Sequence, residues 1–200
     1  MYMNLRHLLV PLALTASQPV LAQAADPASG TINSLNSGLI SIMRAGTNAG
    51  QSGRARLIAP VVDRTFDLAL MTRLAVGPSW TGMTVQDQSA LVSAFRSLTI
   101  AQYAKNFDSF SGESFAMAPQ IESRGGDKLV RTTLVVPRGG SEALNYRLRQ
   151  SGGQWKIIDV YYRNAISQLA TRRADFARVL SKGGAAALIA HLNALAARPE

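Results

Sequence analysis

The apolar positions in the first part of the chain repeat at helical spacing. A first helix, weakened by its Ser, Asn and Gly content, is predicted by four residues: Ile32, Leu35, Leu39 and Met43. Residues 47–54, TNAGQSGR, predict a loop. A stronger helical pattern then runs from Val61 to Val76. It ends at Gly77-Pro78, because Pro cannot continue a helix.

A long helix is predicted from Thr84 to about Asp108. Thr84 is followed three residues later by Asp87, a variant of the capping box. The apolar residues of this helix form two stripes on nearly opposite sides: first Leu91, Ala94, Phe95 and Leu98, then Ile100, Tyr103 and Phe107. One core cannot cover both stripes. We therefore expect the helix to lie between layers, or one stripe to face an interior cavity.

The hydrophobic period changes to two after residue 112. Four strands are predicted, at about Glu113–Ile121, Lys128–Pro137, Glu142–Gln150 and Gln154–Tyr162. Short glycine-containing links join them, so they should pair as an antiparallel meander. Two helices follow, at about Ala165–Ser181 and, after Gly183-Gly184, Ala185–Ala197. Helices, then a sheet, then helices predict an α+β fold.

The composition favours one globular domain preceded by an export signal. Of the 200 residues, 47% are hydrophobic and 16% are charged, enough for a sizeable core, and cysteine is absent. A short basic start, an apolar run from Leu8 to Ala16 and the small residues Ala22 and Ala24 are typical of a signal peptide. The alternative is a disordered tail. We predict a cleaved signal peptide over residues 1–24 and a single domain over residues 25–200.

The distribution of charge and the absence of catalytic motifs exclude several classes of function. Removal of Arg6 with the signal peptide lowers the formal net charge from +9 by one, to +8. The basic residues are spread along the chain without a block or basic arm, so we expect no nucleic-acid partner for an exported protein. Their positive charge favours transient contact with an anionic membrane surface, and the alternative is an ordinary solvated surface. The sequence holds no G-x-S-x-G, phosphate-binding loop or H-E-x-x-H motif. His191 is expected at a helix edge. We predict no enzyme activity, no cofactor and no metal.

Several stretches in order along the chain resemble one family. These are VVDRTFDLALMTRLAVGPSW, SALVSAFRSLTIAQYAKNF, FSGESF, NYRLRQSGGQWKIIDVY and ISQLATRRADF. Together they resemble the MlaC-type periplasmic lipid shuttles, the toluene-tolerance auxiliary family. The residues of two of these stretches, FSGESF and ISQLATRRADF, are most similar to the hopanoid-associated HpnM branch. Many family members have a Gly-Val-Ser-type segment after the last strand, where this chain has Arg163-Asn164-Ala165.

The resemblance implies a fold and a function. The fold would be an NTF2-like curved antiparallel sheet of about four strands, packed with N-terminal and C-terminal helices that enclose an apolar pocket. The protein would be a monomeric carrier of a phospholipid or hopanoid between the inner and outer membranes. It would act with an inner-membrane transporter of the ABC or RND type and an outer-membrane acceptor complex.

Residues expected to contact the lipid come from the apolar sheet face, the second stripe of the long helix and the flanking helices. They are Met71, Leu74, Trp80, Ile100, Tyr103, Phe107, Phe115, Met117, Leu134, Val136, Tyr146, Leu148, Val160, Tyr162, Ile166 and Leu169. The alternative for each is a packed core position without a ligand.

Arg173 falls in the middle of the apolar stripe predicted for the helix that starts at Ala165. An unpaired Arg is costly to bury, so it should either reach the pocket mouth and meet a polar group of the lipid, or pair with a carboxylate such as Asp159. An alternative function is an NTF2-like enzyme for a sterol-like or polyketide substrate, with Asp159 or Asp108 as base. A third is an interaction module with a filled core.

Overall fold

The chain folds as a set of helices around one antiparallel sheet. The computed structural model describes residues 26–137, 139–163 and 165–198; the predicted signal peptide and Asn164 lie outside these ranges. The helices are α1 (Pro27–Ala45), α2 (Gly50–Thr65), α3 (Leu68–Val76), α4 (Val85–Asn106) and α5 (Gln168–Ala196). The strands are β1 (Ser114–Met117), β2 (Glu122–Arg124), β3 (Asp127–Val135), β4 (Ser141–Ser151), β5 (Gln154–Tyr162) and β6 (Ile166–Ser167). The α+β prediction is confirmed.

The sheet has six strands in the described part of the chain, so the prediction of about four is corrected. Its order is β1-β3-β4-β5-β6, with β2 also paired to β3. The predicted first strand is divided into β1 and β2, which pair with opposite ends of β3. Pro119 lies between them, and Pro cannot donate to a strand ladder. The turn at Gly152 and Gly153 has φ values of 56° and 78°, as a tight hairpin requires.

A β-bulge deforms the centre of the sheet. Arg147 pairs with Asp159 and Leu148 pairs with Ile157, so Ile158 is an extra residue in β5. Because of the bulge, Ile157, Ile158 and Asp159 are buried in succession, which simple alternation would not allow. Helices α1, α2, α3 and α5 all contact β5.

The predicted loop at residues 47–54 is wrong, because α2 already begins at Gly50. Arg54 lies in this helix and is fully buried. Its side chain donates to the carbonyl oxygens of Ala104 at 2.7 Å and Gly46 at 2.8 Å. These tertiary contacts and the burial of Ile58 and Val62 outweigh the low helix propensity of the segment.

The helix predicted from Val61 to Val76 is interrupted at Phe66 and Asp67. Phe66 is extended and bridges to Ile157, and the Asp67 N–H donates to the Ile157 carbonyl at 2.9 Å. The Asp67 side chain then caps α3 by accepting from Leu70 N at 3.0 Å. The end of α3 at Gly77 is confirmed.

The predicted cap of α4 and the predicted break in α5 are found in the structure, whereas α5 begins at Gln168 and not at Ala165. The Thr84 hydroxyl accepts from Asp87 N at 3.0 Å, which confirms the predicted cap of α4. In α5, Gly183 and Gly184 have non-helical backbone angles and divide the helix where the break was predicted. Among the described residues, α5 alone is long and apolar enough to cross a membrane by length and composition, and here it packs on α3, α4 and β5.

The close approach of α1 and α2 depends on a glycine. A Cβ at Gly38 would lie 2.9 Å from both γ-carbons of Val61, whereas a Cβ at Gly30, on the same helix, would meet nothing within 4 Å. We expect Gly38→Ala to destabilise the protein by about 1–3 kcal/mol through overpacking. Gly30→Ala should leave stability unchanged or raise it by up to about 1 kcal/mol. Urea unfolding of both variants checks this, and equal effects would contradict it.

Asp127, at the start of β3, is a carboxylate held by two arginines of β4. It is buried, and it accepts from Arg149 Nε at 2.6 Å and Arg147 Nε at 2.7 Å. Hydrogen bonds from Arg149 and then Arg147 hold the pKa of Asp127 below its ordinary value of 3.8. At neutral pH, Asp127→Asn should cost about 1–3 kcal/mol of stability.

The difference in unfolding free energy between the wild type and Asp127→Asn should become smaller as pH falls. A carboxyl whose pKa is lowered by folding stabilises the native state above its ordinary pKa, and this stabilisation is lost as pH falls through the lower native value. The unfolding free energies of the wild type and Asp127→Asn should therefore converge in strong acid. Asp63→Asn, which removes an exposed pair with Arg96, is the control and should have a much smaller effect at neutral pH.

Candidate functional site

A cavity of about 580 Å³ lies between α4, the start of α5 and the β3–β5 part of the sheet. Its lining comprises Phe66, Met71, Thr99, Gln102, Tyr103, Asn106, Phe107, Leu134, Glu142, Leu144, Tyr146, Val160, Tyr162, Gln168 and Arg172. The volume lies within the range of about 300–1,000 Å³ that is typical of small-molecule sites. Most of the lining surface is apolar.

The lining residues differ in solvent exposure, and this distinguishes the floor of the cavity from its rim. Phe66, Met71, Thr99 and Tyr146 are buried and form the floor. Gln102 and Asn106, on the last turns of α4, are exposed, and Glu142, Gln168 and Arg172 are half-buried. The cavity therefore opens between α4, the N-terminal turns of α5 and the beginning of β4, and polar side chains surround its opening.

Aromatic side chains stack along one wall. The Tyr103 ring lies 5.7 Å from the Phe66 ring and 5.8 Å from the Phe107 ring, between ring centres. Burial raises the pKa of Tyr103 and that of Tyr146 well above their ordinary values, so both phenols stay neutral. This wall carries no charge at physiological pH and suits an apolar ligand.

The charged rim residues have different partners. Glu142 accepts from Arg163 at 3.2 and 3.3 Å. Arg172 donates to the Gln102 side-chain oxygen at 2.5 Å, and its guanidinium lies 4.9 Å above the Phe95 ring. Burial lowers the pKa of Arg172 from its ordinary value, in the direction opposite to the effect of an ion pair.

The start of α5 is held by a buried carboxylate. Asp159, on β5, accepts from the Ser167 hydroxyl at 2.6 Å and from Leu169 N at 3.0 Å. Ser167 in turn caps the helix by accepting from Ala170 N at 2.9 Å. This network joins β5, β6 and α5, and so it fixes the positions of Gln168 and Arg172 at the rim.

The cavity brings together part of the predicted lipid-contacting set: Met71, Tyr103, Phe107, Leu134, Tyr146, Val160 and Tyr162. The other predicted residues lie outside its lining. Ile100 and Leu148 are buried in the packed core, Trp80, Phe115, Met117 and Leu169 pack against that core, and Ile166 is 50% exposed on β6. Leu74 and Val136 are half-buried at other positions.

Arg173 also lies away from the cavity, so its predicted position at the pocket mouth is corrected. Its side chain is exposed and packs over Gly77. Asp159, its suggested partner, is occupied by Ser167 and Leu169. The predicted stripe is centred on the wrong residue, because Ile166 belongs to β6 and Ala170 and Ala177 are exposed. The packed face of α5 instead runs through Leu169, Arg172 and Phe176.

Several lining residues were missed because no hydrophobic pattern marks them. Polar ones are Thr99, Gln102, Asn106, Glu142, Gln168 and Arg172. Phe66 and Leu144 are apolar, and Leu144 could have been included because it shares the alternation of Tyr146. Phe66 reaches the floor only through the break between α2 and α3.

The carboxylates proposed as catalytic bases do not line this cavity. Asp159 and Asp108 are absent from its lining. His191, whose Nε2 lies 3.1 Å from Asp175 Oδ2, is also outside it. Within the described ranges, no three His, Asp or Glu side chains come together in an arrangement that could hold a metal ion.

A family model described as MlaC protein matches residues 33–194. The chain belongs to the MlaC family. Among solved structures, this MlaC-family chain is similar to a phospholipid-binding protein from Ralstonia solanacearum, determined in complex with a phospholipid. The TM-score is 0.74 and the identity 24%, and the match covers 86% of this chain and 98% of that one. This similarity shows a shared fold. No curated protein matches the chain.

Asp159 yields a prediction for the site. Because it is buried with two acceptor bonds to Ser167 and Leu169, Asp159→Ala should destabilise the protein by about 1–3 kcal/mol. Asp159→Asn keeps an acceptor oxygen and should recover part of this loss. Urea unfolding measures both. Equal stability of the Ala variant and the wild type would contradict the anchoring role.

Proposed function

We propose that this protein is a periplasmic carrier that holds the apolar part of one lipid in the cavity between α4, α5 and the sheet. The observation that carries the proposal is a largely apolar cavity of about 580 Å³, with an uncharged floor and aromatic wall and a polar opening, in a chain of the MlaC family. The phospholipid described for the Ralstonia solanacearum structure supports a lipid as the ligand.

The physical need for such a carrier follows from transfer free energies. A single long acyl chain already exposes on the order of 400 Å² of apolar surface, which costs about 10 kcal/mol in water, and a second chain adds to this cost. Free lipid therefore crosses an aqueous compartment at negligible concentration. Transfer of the lipid tails from a bilayer into an apolar cavity, however, changes their free energy very little, because the tails already lie in an apolar phase. The direction of transfer must come from partner proteins.

We infer the following cellular setting. Residues 1–24 direct export and are removed, and residues 25–200 act as a monomeric domain. The domain exchanges a phospholipid or hopanoid with an inner-membrane transporter of the ABC or RND type and with an outer-membrane acceptor, and so contributes to outer-membrane lipid asymmetry. Affiliation with the HpnM branch and kinship with NTF2-like folds are further predictions, supported by the sequence resemblance.

Binding is favoured over catalysis by the chemistry of the lining. Glu142, the carboxylate on the cavity wall, is paired with Arg163, so it is poorly suited to act as a base. Asp159 is engaged in the β5–α5 network. We propose that the polar rim positions a ligand and that no bond is made or broken there.

Lipid extraction tests the proposed function. Protein purified from the periplasm is extracted into organic solvent, and the lipid is identified and quantified by mass spectrometry. We expect close to one lipid molecule per protein chain. Protein that carries no lipid, and that takes up none from vesicles after purification, would contradict the carrier function.

A matched pair of variants tests the cavity as the binding site. Leu134 is half-buried on the cavity wall, and Leu57 is exposed on α2, 49% accessible and outside the lining. We expect Leu134→Trp to occlude the cavity and remove most of the bound lipid, and Leu57→Trp to retain it. Thermal unfolding verifies that both variants are folded. Normal lipid content in folded Leu134→Trp would place the lipid elsewhere.

A further inference from the structure

The rim of the cavity carries a cation in an unusual setting. Arg172 lies one turn into α5 and contributes to the cavity wall, beside the exposed side chain of Gln102. Its guanidinium is half-buried and lies against the buried ring of Phe95, at 4.9 Å from the ring centre. The position is thus shielded from water on one side and open to the cavity on the other.

The described residues supply no carboxylate within ion-pair distance of Arg172. Within the described ranges, its one hydrogen bond goes to the neutral amide of Gln102. The nearby Asp175 is occupied by Arg178 and His191, and Glu142 is occupied by Arg163. A guanidinium has five N–H donors in a planar fork, so most of the donor capacity of Arg172 is left for a ligand.

An anion at the opening would supply hydrogen-bond acceptors and a compensating charge to the Arg172 guanidinium. Burial disfavours the charged form of Arg172, as the lowered pKa indicates, and a bound anion would offset that cost. A phosphate group matches the guanidinium fork and can accept two parallel hydrogen bonds from it. The apolar wall of Tyr103, Phe66 and Phe107 lies just inside the opening, where the tails of the same molecule would be placed.

We propose that Arg172, with Gln102 beside it, is the subsite for the headgroup phosphate of a lipid whose tails occupy the cavity. This inference rests on the proposed carrier function and selects its cargo: a lipid with a phosphate diester is favoured over a neutral lipid of equal apolar size. An uncharged hopanoid would leave Arg172 without an anionic partner.

A competition experiment measures this preference. Delipidated protein is offered equal amounts of dioleoyl phosphatidylglycerol and dioleoylglycerol on cyclodextrin, and the two bound lipids are quantified by mass spectrometry. Charge-assisted hydrogen bonds predict a preference for the phospholipid of about tenfold or more in the wild type. Arg172→Met, which keeps an unbranched apolar stem and removes the guanidinium, should lower this ratio about tenfold. Arg173→Met, the same change at an exposed neighbour outside the cavity, should keep the wild-type ratio.

A second variant avoids any dependence on the folding of Arg172→Met. Gln102→Glu places a carboxylate where Arg172 already donates a hydrogen bond, so it should occupy the guanidinium while preserving the contact between α4 and α5. We expect it to reduce the phospholipid preference as Arg172→Met does. Gln86→Glu, an exposed change with the same charge near the start of α4, should not.

The outcomes separate this inference from the carrier function. Uptake of both lipids in equal amounts by the wild type, or an unchanged ratio in folded Arg172→Met and Gln102→Glu, would overturn the headgroup subsite and leave the carrier intact. Uptake of neither lipid would overturn the carrier function itself.

A third measurement is calorimetric titration of the protein with inorganic phosphate. Saturable binding that Arg172→Met abolishes, without any phospholipid preference, would assign the site to free phosphate and overturn the lipid assignment.

Discussion

The fold depends on a constraint set by α4, which must bury two apolar stripes on nearly opposite sides. The first stripe, with Leu91 and Leu98, is fully packed, and its Phe95 ring meets Phe176 of α5 edge-on at 6.1 Å. The second stripe, with Tyr103 and Phe107, faces the sheet without filling the space before it. A helix packed tightly on one side and loosely on the other leaves a cavity between helix and sheet.

Several elements keep this space open. Phe66 is anchored to β5 through the backbone of Asp67 and Ile157, and it stacks against Tyr103. The bulge at Ile158 deforms the sheet opposite, and the network around Asp159 holds the first turn of α5 at the edge of the opening. The contacts of Phe66 join segments far apart in the chain, and those of Asp159 join β5 to the start of α5. Together they fix the elements that surround the cavity.

The proposed roles use the two ends of the cavity differently. Its floor and aromatic wall are uncharged and hold the apolar part of a ligand by burial, which is insensitive to chemical detail. The opening has Arg172 and Gln102 on adjacent helices, where a directed hydrogen bond can discriminate between headgroups. Retention and selectivity are thereby assigned to different residues, and they can be changed by mutation separately.

The sequence by itself determined the α+β class, the two stripes of α4, its Thr84 cap and the glycine break in α5, because periodicity, capping and backbone freedom are local properties. It also placed Tyr103, Phe107, Tyr146 and Val160 on faces that reach the cavity. Tertiary structure decided the rest. Contacts of Arg54 made a helix of a glycine-containing segment, and pairing of Ile166 in β6 delayed the start of α5. With Ile166 in β6 and Ala170 exposed, the packed face of α5 includes Arg172 and leaves Arg173 outside. Helical spacing could not separate the two arginines, because at about 100° per residue both lie within about 60° of Phe176. Packing of α5 against α3 and α4 decided which of them is buried.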